Sequence, residues 1–193
     1  MHMCKKQCGN GEKMHDSAIE MAKRLLGDSI WKSANLEGLG TTFPKTEAIL
    51  ANAPTTTRTE EVLFVVNMKR AWQFLLDNLQ YDNSIMLLRE FDKIVGELLF
   101  RYAGEIRTIP VQIGGTSWEP EMPRTGIIID VLREIEQTVD IELRALKYFC
   151  YITRTQMLID GNKRVAQLMA NKILIENNIG IFQVPIEHLE EFK

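Results

Sequence analysis

Asp160-Gly161-Asn162-Lys163-Arg164 is the stretch of this sequence whose residue types and spacing best suit chemistry. It forms a polar bend ahead of a helix that carries Val165, Leu168, Met169, Ile173 and Leu174 on its buried side. The first N–H groups of such a helix lack intrahelical partners and carry partial positive charge. Gly161 permits a positive φ and close approach of an anion to the backbone. Asn162 tolerates the same backbone region and can donate from its amide, while Lys163 and Arg164 bring cations to the same helix end. Together they make an anion nest suited to a polyphosphate. Asp160 would repel phosphate unless a divalent cation lay between them, which points to Mg²⁺. Asp-Gly-Asn is also common turn chemistry, and spacing alone leaves the nest and a plain αα-hairpin turn evenly matched.

Other elements must hold this bend in place. A first helix is expected from about Asp16 to Leu36, with Ile19, Met21, Ala22, Leu25, Leu26, Ile30 and Trp31 in partial helical spacing. Gly27 is its weak point and Gly38-Leu39-Gly40 its end, and a loop with Pro44 and Pro54 follows. Thr57-Arg58-Thr59-Glu60 reads as a capping box that opens a strong helix on Val62, Val65, Val66, Ala71, Trp72, Leu75 and Leu76. Ser84 is expected to cap the next helix, with Ile85, Leu88, Phe91, Val95, Leu98 and Leu99 facing inward. The stretch GEIRTIPVQIGGTSWEPEMP breaks the helical texture. Ile106, Ile109, Val111 and Ile113 include a short alternation, Gly114-Gly115 marks a turn, and Pro120 and Pro123 punctuate the exit, which predicts one β-hairpin. Helices over about 126–137 and 140–153 lead to the bend, and IFQVPIEHLEEF closes the chain as a strand fragment and a helical turn. The expected fold is mainly α with one β-hairpin, a single domain over 16–193 after a flexible arm at 1–15.

The bulk properties narrow the function. A chain of 193 residues with 45% hydrophobic and 25% charged residues can bury a real core. A formal charge of -3 gives no electrostatic case for nucleic acid. No apolar run reaches the ~18 residues of a membrane span, and the polar N-terminus is unlike a signal peptide. Cys4, Cys8 and Cys150 make no disulfide framework, and Cys4 and Cys8 have only His2 and His15 near them as further metal ligands. The cytoplasm is the default compartment.

The bend resembles the signature of the Fic/Doc family, His-x-Phe-x-Asp/Glu-Gly-Asn-Gly/Lys-Arg, with Asp160 through Arg164 matching in order. GEIRTIPVQIGG, within a flap expected over 104–118, looks like the family's flap, which clamps a target segment by strand addition. SANLEG, within a candidate inhibitory region at 16–40, looks like the family's inhibitory-helix motif, with Ser33 and Glu37 one helical turn apart on one face. The resemblance implies a Fic-like helical bundle with a flap hairpin, its motif loop and helix at 155–176. It implies transfer of AMP from ATP to a hydroxyl of a target protein docked on the flap at Ile109, Val111 and Ile113. Gly161, Asn162, Lys163, Arg164 and Gln167 would bind the nucleotide phosphates, Asp160 would hold Mg²⁺, and a small regulatory partner of antitoxin type fits the same likeness.

Three departures qualify that expectation. The histidine of the signature falls on Gln156 and its phenylalanine on Leu158. A neutral imidazole accepts a proton near neutral pH, whereas a primary amide can only orient a hydroxyl, and losing a general base typically costs ~10²–10⁴ in rate. Gln167 stands where a second arginine often follows, which leaves Glu37 a hydrogen bond but no ion pair at that position. Lys163, in place of the more usual glycine, resembles the branch associated with phosphate transfer, so the transferred group stays open. A catalytically inactive, nucleotide-responsive peptide-binding module is the second reading. Of the remaining candidates, Trp31, Trp72, Tyr148 and Tyr151 read as packing or pocket wall, and Asp140 as a helix cap.

Overall fold

The computed structural model of the chain describes residues 17–112 and 119–189. Eight α-helices follow one another among them: α1 (Ala18–Arg24), α2 (Leu26–Leu36), α3 (Phe43–Leu50), α4 (Thr59–Asp77), α5 (Ile85–Gly96), α6 (Thr125–Glu136), α7 (Ile141–Thr155) and α8 (Asn162–Glu176), then a 3₁₀ turn at Ile186–His188. The mainly helical expectation holds. None of the described helices is long and apolar enough to cross a membrane.

Local chemistry explains most of the boundaries. Ser17 caps α1 through Glu20 N at 3.2 Å, Ser84 caps α5 through Leu87 N at 3.4 Å, and Asp140 caps α7 through Leu143 N at 2.9 Å. Gly38, at φ 79°, turns the chain out of α2.

Four local expectations are corrected. The first helix is two, broken at Leu25, whose φ −98° and ψ 13° are not helical. The loop with Pro44 contains α3, where Pro44 sits in the first turn and loses no hydrogen bond there. The capping box does not form: Arg58 is the N-cap of α4 with no side-chain cap bond, and Thr57 instead donates its N–H to Thr55 Oγ1 at 3.1 Å. No strand fragment precedes the final turn.

The flap hairpin is not seen either. Among the described residues of 104–112, Ile106 makes one isolated antiparallel bridge to Leu158, beside a bond from Arg107 N to Met157 O at 3.0 Å. Ile109 and Val111 lie in irregular backbone, and Ile113 and the Gly114-Gly115 turn fall outside the described residues. The physical reason is at hand. Pro110, Pro120 and Pro123 have no N–H to give a ladder, and the carbonyls of Ile109, Pro120 and Glu121 accept from the Arg107 guanidinium instead.

α8 is the central post. The expected apolar stripe is there, with Val165, Leu168, Met169 and Ile173 fully covered. The opposite face is buried as well, including Gln167, Asn171 and Lys172, because α7, α5, α4 and α1 surround it. A surface helix would leave that face polar and wet; here each polar group needs an internal partner. Lys172 Nζ pairs with Glu176 Oε2 at 2.5 Å. Asn171 accepts from Phe182 N at 2.8 Å and donates to Phe182 O at 2.9 Å, fastening the C-terminal segment to α8. Tyr148, in the core, donates to Asn83 O at 2.8 Å. One hydrophobic core draws residues from all eight helices.

Asn171→Ala would strand both backbone groups of buried Phe182. Each such loss costs about 1–3 kcal/mol, so the urea midpoint should fall with the slope unchanged, and an unshifted midpoint would show that the segment is held by other contacts.

Candidate functional site

α7 ends at Gln156 and α8 begins after Gly161, so two left-handed residues bracket the bend. Gln156 has φ 45° and ψ 50°, and Gly161 has φ 77°. A side chain at Gly161 would be strained by that φ, and its Cβ would lie 2.6 Å from Asp92 Oδ1.

Asn162 clasps the bend from inside. It is 4% exposed; its Oδ1 accepts from Leu158 N at 3.0 Å, and its Nδ2 donates to Leu158 O at 3.0 Å and to Gln156 Oε1 at 3.2 Å. Gln156 Nε2 donates to Thr153 O at 2.7 Å. Both ends of the Gln156 amide are therefore engaged, and nothing in that arrangement accepts a proton. Leu158, at the phenylalanine position of the signature, is fully buried.

No side chain caps α8. Asp160 Oδ1 accepts from Gly161 N at 2.6 Å and lies 3.1 Å from Arg164 Nη2, while its side chain stays 56% exposed. Arg164 is 4% exposed. Its Nη1 donates to Val95 O at 3.3 Å, and its guanidinium lies 5.4 Å from the ring centres of both Phe64 and Phe100. Lys163 Nζ donates to Leu36 O at 3.3 Å.

Glu37 comes to the same place from the end of α2. Glu37 Oε1 lies 3.5 Å from Arg164 Nε and Glu37 Oε2 lies 3.7 Å from Lys163 Nζ. Glu37 thus faces the two motif cations, and the hydrogen bond that Gln167 could have donated to it is not made. Ser33 Oγ, Gln167 Nε2 and Arg164 Nε are buried and have no hydrogen-bond partner. An orphaned Arg164 Nε beside an uncapped helix end fits an anion oxygen. Asp160 is a single carboxylate, and the described residues hold no cluster of three or more His, Cys, Asp or Glu. That donor set fits Mg²⁺, which binds through one or two carboxylates plus phosphate and water.

Two residues of the site escaped sequence reasoning. Asp92, on α5, is completely buried; its Oδ2 accepts from Gly104 N at 2.6 Å and its Oδ1, beside Gly161, has no partner. Burial pushes its carboxyl up to about 7, against the opposing pull of the Gly104 amide and the Arg164 charge. Arg107 is 1% exposed, and burial lowers its pKa. Its five N–H groups go to Gln156 O at 2.6 Å, Ile109 O at 2.9 Å, Met122 Sδ at 3.2 Å, Pro120 O at 3.1 Å and Glu121 O at 2.6 Å. Its donors are thus all spent on backbone and sulfur. A charged residue in an otherwise alternating apolar run was the one signal for Arg107; an Asp on the inward side of α5 was the one for Asp92.

Arg107→Lys cannot reach that set of acceptors and should cost on the order of 3 kcal/mol in chemical denaturation. For Asp92, the folded pKa of about 7 lies above the ordinary 3.8. Below about pH 4 both states hold the proton; from there to about pH 7 only the folded chain does. Unfolding free energy should therefore fall as pH rises through that window, by up to about 4 kcal/mol, and level off above it. Asp92→Asn should flatten the profile, and an unchanged slope would place the titration elsewhere.

No protein-family model and no curated protein matches the sequence. Solved structures do. A fragment of Fic-1 from C. elegans superposes with a TM-score of 0.77 at 23% identity, covering 94% of this chain and 57% of that one. A Fic family protein from Desulfovibrio desulfuricans gives 0.70 at 17% identity, over 79% of this chain and 48% of that one. A Fic domain containing signaling protein from Bacteroides thetaiotaomicron gives 0.70 at 19% identity, over 89% and 70%. The chain thus spans about half the length of the first two. With the motif residues gathered at the start of α8 and α2 laid against them, the chain has the fold of the Fic-domain proteins.

Proposed function

We propose that the chain binds ATP with Mg²⁺ at the start of α8 and transfers AMP, or another phosphate-containing group, to a hydroxyl of a target protein in the cytoplasm. One observation carries the reading: α8 opens uncapped on Gly161 at positive φ, beside a buried Arg164 whose Nε has no hydrogen-bond partner. The amides of the first turn and the Arg164 fork would take phosphate oxygens. Asp160 would hold Mg²⁺, which when bound neutralises charge between phosphate groups. Asn162 keeps the bend in the shape that presents those amides.

Glu37 opposes this use of the site. Its carboxylate already faces Arg164 Nε and Lys163 Nζ, the groups a terminal phosphate would seek. Nucleotide must displace it or share the cations with it, so Ser33 and Glu37 act as a brake from α2. Gln156 can hydrogen-bond an attacking hydroxyl but cannot accept its proton, which sets transfer ~10²–10⁴ below a histidine-equipped site. The amide at 156 also favours a second reading, in which nucleotide only modulates a peptide-binding module. The target would lie along the stretch that includes Ile109 and Val111.

Calorimetric titration with ATP and Mg²⁺ should show saturable binding that Arg164→Ala abolishes and Glu37→Ala strengthens by about tenfold, as removal of a competing carboxylate implies. In cell lysate, ATP labelled at the α or the γ phosphate should label protein slowly with the unaltered chain, and ~10²–10⁴ faster with Gln156→His. Label from the α position identifies AMP transfer. No ATP binding overturns the proposal. Binding without transfer in both chains leaves the modulated binding module.

A further inference from the structure

A left-handed backbone at a residue with a full side chain has to be held in place. Gln156 stands at φ 45° and ψ 50° at the end of α7. Two hydrogen bonds act on its backbone. Its N–H donates to Ile152 O at 3.2 Å, continuing the bonding of α7. Its carbonyl accepts from Arg107 Nε at 2.6 Å. The torsion φ lies between the anchored nitrogen and Cα, and ψ between Cα and the anchored carbonyl. The two bonds therefore bracket both soft torsions of the residue. The next carbonyl, Met157 O, accepts from the backbone N–H of the same Arg107 at 3.0 Å. The bonds with Asn162 and Thr153 act on the Gln156 side-chain amide instead. They belong to glutamine, whereas the backbone pair serves whatever side chain stands at 156.

Arg107 can impose that geometry because it is itself fixed. It is 1% exposed, and its other donors go to Ile109 O at 2.9 Å, Met122 Sδ at 3.2 Å, Pro120 O at 3.1 Å and Glu121 O at 2.6 Å. All of these are backbone carbonyls but for one sulfur, so the chain itself sets the fork. A guanidinium is planar and rigid, and once its two Nη groups are docked the direction of Nε–H is decided. None of these bonds goes to Gly161, Lys163 or Arg164.

We infer that Arg107 is a positioning residue for the transfer: by holding the carbonyl of residue 156 it locks that residue left-handed and fixes the direction in which the 156 side chain leaves the backbone. The inference rests on the transfer reading for what that side chain meets, and on backbone geometry alone for the lock. A residue that slipped to negative φ would carry its side chain to another side of the bend. A reacting group has to be held within about 0.5 Å of its productive place. Arg107 acts only through residue 156, so it bears on turnover and not on nucleotide affinity.

The test reads the lock and its purpose separately. In the unaltered, nucleotide-free chain, NMR should show at residue 156 the strong intraresidue amide–Hα NOE of a left-handed residue. Arg107→Lys should lose it, since lysine has no Nε–H to hold the carbonyl while its head group serves other acceptors. For the purpose, Arg107→Lys is combined with Gln156→His and labelled ATP is followed in lysate, with sucrose present to offset lost stability in every chain. The rate at saturating ATP should fall about 10–100-fold relative to Gln156→His alone, as a displacement approaching 1 Å at a reacting group costs. The ATP concentration at half-maximal rate should stay within about twofold, because the phosphate-binding groups are untouched. Asn171→Ala in the same Gln156→His chain loses stability at the Phe182 contact and should leave the rate as it was. A residue 156 without the left-handed NOE in the unaltered chain overturns the inference with no variant at all. So does an NOE that survives Arg107→Lys, a rate that Arg107→Lys leaves unmoved, or an equal loss in Asn171→Ala. No labelling by the Gln156→His chain itself sinks the transfer reading alone, and the NOE pair then still decides the lock.

Discussion

The burial of the Arg164 charge at the start of α8 is the constraint to which the neighbouring elements conform. A guanidinium that is 4% exposed demands acceptors and counter-charge from every side, because an unpaired buried charge costs several kcal/mol. Asp160 supplies one carboxylate from the bend, Glu37 another from the end of α2, and Val95 a carbonyl from α5. Phe64 from α4 and Phe100 after α5 present ring faces. Four separate stretches of chain are thus oriented by one side chain. Its Nε is left without a hydrogen bond, so the arrangement holds the charge without exhausting its capacity to bind.

The backbone beneath that charge is shaped by two left-handed residues and two polar clasps. Gln156 is neither glycine nor asparagine, and a left-handed residue of its kind costs roughly 1–2 kcal/mol. The surroundings offset that cost: Asn162 binds the Gln156 amide from within, and Arg107, from the irregular segment after α5, takes its carbonyl. Strain held in place by over-determined contacts is what a site needs when a bend must keep its shape with or without ligand. The Arg107 clasp also bears on why 104–112 does not pair as a ladder, since it takes the Ile109 carbonyl and, across from it, those of Pro120 and Glu121.

Charge around the bend is balanced rather than saturated. Glu37 lies 3.5 Å from Arg164 Nε, close enough to attract but not to make a short charge-assisted hydrogen bond. Asp92, buried beneath Gly161 with one oxygen unpartnered, adds a carboxyl poised to gain or lose a proton near neutral pH. A negatively charged ligand entering here meets cations whose present partners are loosely held. That is the physical basis for reading α2 as a brake.

Sequence periodicity and capping chemistry were enough to place most of the helices, since Ser84 and Asp140 cap through bonds only three residues long. Contiguity also made the bend legible, because Asp160 through Arg164 need no tertiary contact to sit at one helix end. The break at Leu25, the failure of the capping box at Thr57 and the hidden α3 were not legible, since packing outweighs local propensity by more than a cap is worth. Tertiary structure alone decided which partner Glu37 would face, that α8 would be buried on its polar side too, and that Arg107 would draw five acceptors from three segments onto one fork. Those outcomes include meetings between distant parts of the chain, Arg107 with Gln156 and Glu37 with Lys163 and Arg164. Local spacing carries no record of such meetings, because the free energy that selects them is released only when the helices close on one core.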